Sequence, residues 1–273
     1  MLSHHHKTIF VHVPKCAGQS VEMAYLGDLG LTWETRAPLL LRFNDRSELG
    51  PPRLAHLLAK DYVKFHYVSN ELFERYFKFA IVRNPWSRAV SLYKHLDFNM
   101  PFKSFATDWL AGEFALAEKS KIFWFIRPQR DFLTDQGKTI VDDILRFEDL
   151  ASEFGRIRRV TGLKSQLPHV NKGYEISHRR NVQNAVLRSG GNSGLLRRLS
   201  ASIKSGFQKD RRDRKGDWRE FYDDDSKRVV AKLYAADAGL LKYEFSRGEE
   251  GSKLGQKRRP TGPSRRIDSP DPS

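Results

Sequence analysis

The stretch that decides the fold is TIFVHVPKCAGQSVEMAYL, residues 8–26. Its first six residues alternate as a β-strand does, with one face formed by Ile9, Val11 and Val13. The alternation stops at Pro14, and a turn of small residues leads into a helical pattern from Ser20. Such a strand–turn–helix unit directs backbone N–H groups and the positive end of a helix dipole at one point. The stretch therefore predicts an anion-binding turn.

The lysine of this turn stands in an unusual place. The phosphate loop of nucleoside triphosphatases reads G-x-x-x-x-G-K-[ST], with its lysine after the glycines. Here Lys15 precedes Gly18 and the standard pattern is absent. Spacing alone leaves two interpretations open, a phosphate-binding turn and an ordinary strand–helix turn with an exposed lysine.

A second strand–turn–helix unit follows at FKFAIV and RNPWSRAVSLY, residues 77–93. The nearly continuous apolar run predicts a strand buried on both faces. Arg83 comes where that strand ends, the edge at which open α/β sheets bind ligands. Ser91 lies too far into the next helix to cap it. Taken alone, the segment favours an interpretation of Ser91 as a small packing residue and of Arg88 as a solvated charge.

The remaining patterns predict the fold class. YVKFHY at 62–67 alternates like a strand, and TIVDDILRF at 139–147 contains another, followed by an amphipathic helix over 148–160. A helix is also predicted over 53–60. Strands alternating with helices indicate an α/β protein. We expect a three-layer sandwich with a mainly parallel central sheet and a phosphate-binding turn like that of P-loop NTPases.

The basic charge is unevenly distributed. The net charge is +15, of which residues 172–217 carry +8 and residues 247–273 carry +3, leaving +4 for the rest. We expect one domain over 1–246 with a mobile basic insertion at about 172–217, and a disordered basic tail over 247–273. Such surfaces attract anionic polymers or an anionic lipid surface, so peripheral membrane contact is one expectation.

Composition limits the class of protein. The chain has 273 residues, of which 39% are hydrophobic, enough for a substantial core. No run approaches the roughly 18 apolar residues of a membrane helix, and residues 1–7 lack the apolar core of a secretory signal. Cys16 is the single cysteine, so no intrachain disulfide can form. A cytoplasmic setting is therefore predicted.

Together, HVPKCAGQS and RNPWSRAVSLY resemble the two nucleotide-binding motifs of the sulfotransferases that use 3′-phosphoadenosine 5′-phosphosulfate (PAPS). The similarity is greatest to the Golgi-type carbohydrate sulfotransferases and their soluble bacterial relatives. It continues through RPQRDFLTDQG, ILRFEDL, LPHVNKG and the DWREFYDDD segment, covering about 8–246 apart from the insertion. Cys16 and Gln19 depart from the family pattern, where Thr is frequent at both positions.

The resemblance implies a function and a site. The first motif would bind the 5′-phosphosulfate, through Lys15, Cys16, Ala17, Gly18, Gln19 and Ser20. The second would bind the 3′-phosphate through Arg83 and Ser91. Lys15 would stabilise the departing 3′,5′-bisphosphate, and no metal is required. The acceptor would be a saccharide hydroxyl, including those of anionic polysaccharides or glycolipids.

His66 is the predicted general base. It lies near the end of the predicted strand 62–67, and a neutral imidazole suits proton abstraction from a hydroxyl. In some carbohydrate sulfotransferases of this type a histidine just upstream of the 3′-phosphate motif has this role. A half-buried structural histidine is the alternative interpretation. The other candidates are His12, His56, His95, His169 and His178.

Two other function classes stay open at this point. A nucleotide kinase or NTPase would need a lysine after the glycine and a magnesium-binding acid after a strand, and Asp142 and Asp143 precede their strand or begin it. A nucleic-acid-binding protein is supported by net charge alone, because the basic segments lack interleaved aromatic residues. We therefore expect no specific nucleic-acid partner.

Overall fold

The structure is a computed structural model that describes residues 1–168 and 217–245. The predicted insertion, apart from its last residue, lies outside the described residues. So do the predicted tail 247–273, His169 and His178.

A mostly parallel sheet forms the centre of the described part. Its four strands are β1 (Leu2–Ser3), β2 (Thr8–Val11), β3 (Phe77–Val82) and β6 (Asp143–Arg146), in the spatial order β1-β2-β3-β6. β1 is antiparallel to β2, whereas β2, β3 and β6 run parallel. Between β3 and β6 in sequence, β4 (Thr134–Asp135) and β5 (Lys138–Thr139) form a separate antiparallel pair. The predicted α/β class is confirmed at this level.

Helices connect and cover the strands. In chain order their bounds are α1 (Gly18–Asp28), α2 (Asp61–Lys64), α3 (Asn70–Arg75), α4 (Pro85–Leu96), α5 (Phe102–Ser104), α6 (Ala111–Leu116), α7 (Phe123–Ile126), α8 (Gln129–Leu133), α9 (Leu150–Thr161), α10 (Asp224–Leu233) and α11 (Ala235–Leu241). A π-helical stretch, Phe105–Leu110, joins α5 to α6. None of the helices in the described ranges combines the length and apolar content needed to cross a membrane.

The two strands that matter for the site are the most deeply buried. Ile9, Phe10 and Val11 of β2 and Phe79 of β3 have no exposed surface. Burial on both faces explains why β3 reads as a continuous apolar run. Because β2 and β3 are parallel neighbours, their carboxyl ends lie side by side. The residues that follow them, the turn 14–17 and Arg83, therefore meet at one edge.

The predicted strand over 62–67 is wrong. Residues 61–64 form α2, and His66 follows in a turn with φ of 59°. The Asp61 carboxylate accepts a hydrogen bond from the Leu58 N–H at the start of this helix, and the Tyr62 ring is fully buried with its hydroxyl donating to Phe10 O. The apparent alternation came from a short turn of helix. The helix predicted over 53–60 is likewise only a 3₁₀ turn, Leu54–His56.

Candidate active site

The turn after β2 has an unusual backbone. Lys15 and Ala17 have φ of 69° and 60°, in the left-handed region that L-residues avoid. α1 begins directly after this turn, without a side-chain cap and without an acidic residue in its first turn. Ser20 N donates to Ala17 O, whereas the first two N–H groups of α1, together with the helix dipole, are available to an anion.

Position 18 requires glycine, because the His12 ring occupies the space that a side chain would fill. A Cβ at this position would come within 2.0 Å of His12 Nε2. The absence of a side chain thus lets the His12 imidazole lie on the first residue of α1. The other ring nitrogen, Nδ1, is 2.6 Å from Oε1 of Glu22, a residue one turn further along α1. In the tautomer with its proton on Nδ1, the His12 ring donates to the Glu22 carboxylate and has its lone pair on Nε2, beside Gly18.

Arg83 reaches from the end of β3 to the same turn. Its Nε donates to Ser87 Oγ at 2.8 Å, and its Nη1 donates to Lys15 O at 3.4 Å. The guanidinium lies 4.2 Å from the centre of the Phe147 ring. Burial lowers the pKa of Arg83, yet an arginine stays protonated in proteins. A permanent positive charge is therefore held beside Lys15 in a partly desolvated place.

Gln129 joins the two strand ends. Its Oε1 accepts from Arg83 N at 2.8 Å and from Cys16 Sγ at 3.4 Å, and its Nε2 donates to Arg83 O at 2.7 Å. The side chain has no exposed surface. Its own N–H donates to the buried carboxylate of Asp237. One amide therefore fixes Arg83 relative to the turn.

Arg88 is a supporting residue that sequence reasoning did not identify. It is 1% exposed, so its interpretation as a solvated charge is wrong. It donates to three carbonyl groups, those of Pro14, Phe125 and Arg127. The side chain thereby ties the start of the turn to the segment around α7. Its position in RNPWSRAVSLY was visible in the sequence, but nothing there distinguished a buried arginine from an exposed one.

Asn84 and Glu148 hold the segment RNPWSRAVSLY, residues 83–93, in place. The Asn84 side chain caps α4 by accepting from the N–H groups of Trp86 and Ser87. Glu148 accepts from Asn84 N at 2.9 Å and from the Tyr243 hydroxyl at 2.9 Å. Glu148 therefore links the segment after β6 to the residue that precedes α4 and to Tyr243.

A cavity of about 850 Å³ opens over these elements. It brings together nearly all the predicted nucleotide-binding residues, namely Lys15, Ala17, Gly18, Gln19, Ser20, Arg83 and Ser91. The Cys16 side chain is not part of the lining. It is buried against Gln129, and burial raises the pKa of its thiol to about 12. The thiol is therefore protonated and acts as a packing group.

The structure does not bring His66 into this cavity. Its side chain is exposed in the turn after α2 and does not line the wall. His12, His56 and His95 do line it. The Nδ1–H of His56 donates to His12 O at 3.0 Å, and burial holds the pKa of His56 well below its ordinary value. His12 has a carboxylate partner, Glu22, and its ring lies against the turn at Gly18.

The acids that an NTPase would use lie elsewhere. Asp143 begins β6, at the end of the sheet opposite the cavity. The Asp142 carboxylate accepts from Lys78 N at 2.7 Å and pairs with Lys78 Nζ at 3.1 Å. Residues 1–168 and 217–245 contain no group of three or more His, Cys, Asp or Glu side chains arranged to hold a metal ion.

Comparison with known proteins identifies the family. The pattern that defines the sulfotransferase family matches residues 1–244. This chain belongs to the sulfotransferase family. It is also 29% identical over 106 residues to a protein of Archaeoglobus fulgidus described as uncharacterized, an alignment that covers 37% of the chain and 79% of that relative. No solved structure matches. The family match makes the cavity at the ends of β2 and β3 a candidate site for sulfuryl transfer.

Proposed function

We propose that this sulfotransferase moves the sulfuryl group of PAPS onto a carbohydrate hydroxyl by in-line displacement. The observation that carries the proposal is the convergence of Lys15, Arg83 and Ser91 on one cavity, with Gln129 joining the two strand ends. Family membership supplies the reaction class. The choice of donor is supported by two separate groups of potential anion-binding residues in the cavity wall, the turn with Lys15 and the pair Arg83 and Ser91.

The residues fit a donor with phosphates at both ends of its ribose. The uncapped start of α1, with Lys15 beside it, suits the 5′-phosphosulfate and functions as a P-loop-like turn. Gly18 leaves room for the His12 imidazole beside this cradle. At the second place the start of α4 is already capped by Asn84, so Arg83 and Ser91 bind the 3′-phosphate through side chains. ADP lacks that phosphate.

In this reaction Lys15 and His12 have separate roles. The bond between sulfur and the acceptor oxygen forms while the bond from sulfur to the 5′-phosphate oxygen breaks. Lys15 stabilises the negative charge that develops on that phosphate oxygen. Since His66 lies outside the cavity, we assign the hydroxyl proton to Nε2 of His12. Glu22 orients this imidazole and stabilises it once it is protonated.

The decisive experiment compares 3′-phosphoadenosine 5′-phosphate (PAP) with ADP by calorimetry. PAP should bind more tightly by about tenfold or more, because one charge-assisted arginine–phosphate contact is worth that much. Arg83→Ala should remove most of the difference. Lys15→Ala should retain PAP binding in part but abolish transfer of labelled sulfate from PAPS. Lys60→Ala is the control, because Lys60 is an exposed lysine outside the cavity wall.

Equal affinity for the two nucleotides would refute the donor assignment. ATP hydrolysis dependent on Mg²⁺ would instead favour the NTPase alternative. Wild-type transfer by Lys15→Ala would refute the role of Lys15 while leaving the donor class intact.

A further inference from the structure

One large apolar side chain of α7 is left partly exposed at the cavity. Residues 122–126 read IFWFI, and four of these five side chains are buried, namely Ile122, Phe123, Phe125 and Ile126. Trp124 is only half-buried, and it lines the cavity. Apolar ring surface inside a cavity is the kind of surface that binds a ligand. The proposed binding of the two phosphates makes no use of this ring.

Trp124 belongs to a group of four rings. Measured between ring centres, Phe125 lies 5.3 Å and His56 lies 5.6 Å from Trp124. The His95 ring lies 5.5 Å from the Phe125 ring. All four residues line the cavity, and we call them the aromatic corner. None of the four carries a permanent charge, so this corner suits an uncharged, weakly polar surface of a ligand.

Buried side chains hold the backbone of α7 in place. Arg88 donates to Phe125 O at 3.2 Å and to Arg127 O at 3.0 Å. The Tyr234 hydroxyl donates to Ile126 O at 2.7 Å. Arg88 and Tyr234 are each 1% exposed. A ring carried on a fixed backbone loses little conformational freedom when a ligand stacks on it, as a binding platform requires.

The aromatic corner adjoins the proposed base. The rings of His12 and His56 lie 4.4 Å apart, and the Nδ1–H of His56 donates to His12 O. Because His56 also contacts Trp124, a single ring separates the indole from His12. In-line displacement requires the acceptor oxygen on the side of sulfur opposite the leaving phosphate, beside the base. The adenine lies beyond the ribose, at the other end of the donor. Trp124 is therefore on the acceptor's side of the reaction.

The face of an indole ring suits one kind of sugar surface. Aromatic faces carry partial negative charge, whereas the hydrogen atoms of C–H groups carry partial positive charge. A pyranose whose C–H groups point to one side has a matching face, and its hydroxyl groups lie around the edge. Stacking on that face leaves a hydroxyl at the edge free to reach the base.

We propose that Trp124 is the platform on which the acceptor sugar stacks. The acceptor is then a pyranoside with one uninterrupted C–H face, and a hydroxyl at the edge of its ring is directed to Nε2 of His12. This inference rests on the proposed function, since it assigns a sugar class to the same site. It makes the shape of the sugar, and not its charge, the basis of recognition. The donor keeps its contacts with Lys15, Arg83 and Ser91, and Trp124 makes none with it.

The test measures how a simple sugar contacts the full chain with PAP bound. The probe is methyl β-D-galactopyranoside, in which the C–H groups of carbons 3, 4 and 5 share one face. Galactitol, the corresponding open-chain alcohol, is the matched control because it has no rigid C–H face. In saturation-transfer NMR the protein should saturate the hydrogens on carbons 3, 4 and 5 more strongly than the hydrogen on carbon 2, which points to the opposite face. Galactitol should receive little saturation.

The variants identify the ring that makes the contact. Trp124→Ala should weaken binding of the pyranoside by about tenfold or more and leave PAP affinity unchanged. Trp124→Phe retains an aromatic face and should keep most of the pyranoside binding. The phenylalanine variant also tests the inference if the alanine variant does not fold. Trp218→Ala is the control, because it removes a half-buried tryptophan outside the cavity wall and should change neither affinity.

Several results would overturn the inference. They are equal saturation of the pyranoside and galactitol, no binding of the pyranoside, and unchanged pyranoside affinity in Trp124→Ala. Loss of PAP affinity in that variant would also overturn it, because the ring would then contact the donor's adenine. Failure of the proposed function has a different signature. In that case PAP does not bind in preference to ADP, whereas NMR of the pyranoside without nucleotide still reports on Trp124.

Discussion

At the scale of single residues, Gly18 is the position where the backbone and the proposed chemistry depend on each other most directly. In Gly18→Ala the new Cβ would lie 2.0 Å from His12 Nε2, so the imidazole must leave its place. We expect the free energy of unfolding to fall by about 1–3 kcal/mol, as for other overpacked sites. Loss of a positioned base should lower the transfer rate by about 10² or more. Denaturant unfolding and labelled-sulfate transfer measure the two effects.

Gly239→Ala is the matched control for that substitution. Gly239 lies in α11, and a Cβ there would meet nothing within 4 Å. Alanine should therefore raise the free energy of unfolding by about 0.5–1 kcal/mol through its helix preference. A Gly18→Ala protein with wild-type stability and rate would contradict the role given to the His12 contact.

Residue-level predictions succeeded where a motif specified a chemical type. Arg83, Ser91 and the turn residues were named from the sequence, and apart from Cys16 they line one cavity. Their roles stay predictions. The supporting role of Arg88 was not identified, because burial depends on contacts between distant segments. Arg88, for example, bonds to carbonyl groups 37 and 39 positions away.

At the scale of secondary-structure elements, the site depends on how the ends of β2 and β3 are joined. Gln129, the first residue of α8, makes that link through Arg83 N and O. Gln129→Leu retains the size of the side chain but leaves both backbone groups without their partner. We expect stability to fall by about 1–3 kcal/mol for each buried group left unsatisfied. PAP affinity should fall as well, because Arg83 is no longer fixed relative to Lys15.

Arg130→Gln serves as the control, since it changes the next residue of α8, which has an exposed side chain. Calorimetry with PAP and denaturant unfolding are run on all three proteins. Unchanged PAP affinity in Gln129→Leu would show that the link is structural and has no part in placing Arg83.

Element prediction was reliable where burial and pattern agreed. β3 was predicted with its observed bounds, because a strand covered on both faces is apolar throughout. The region 61–67 was mispredicted, because four residues of helix are too few to establish a 3.6-residue period. α2 is stabilised by tertiary packing of Tyr62, which local pattern does not reveal.

At the scale of the whole molecule, two parts of the described fold contribute positively charged side chains to the cavity. The end that we propose to bind the donor is built on the parallel strands β2 and β3, whose carboxyl edge the sequence pattern predicted. Three arginines of the cavity wall, Arg36, Arg42 and Arg53, come from the irregular segment between α1 and α2. That segment has no hydrophobic periodicity from which its structure could be predicted. The three-layer arrangement, the cytoplasmic setting and the carbohydrate acceptor stay predictions.

The free energy of unfolding of the whole molecule should depend on pH through His56, which lines the cavity. Burial holds the pKa of His56 well below its ordinary value of 6.5, so the folded state keeps this ring neutral. The unfolded state takes up the proton once pH falls below about 6.5, and it then binds more protons than the folded state. Stability contributed by neutral His56 is thus present above that pH and lost below it, by up to about 1.4 kcal/mol per pH unit.

Urea unfolding of wild type and His56→Gln between pH 7.5 and 5.5 measures this contribution. The glutamine variant should lose less stability on acidification, because it has no proton to take up on unfolding. His66→Gln, which exchanges an exposed imidazole for the same amide, is the control. Equal slopes in wild type and His56→Gln would mean that the His56 ring takes up its proton as readily in the folded chain. His56 would then be accessible to solvent, and the wall formed by His12, His56 and Arg53 would be less closed than its geometry indicates.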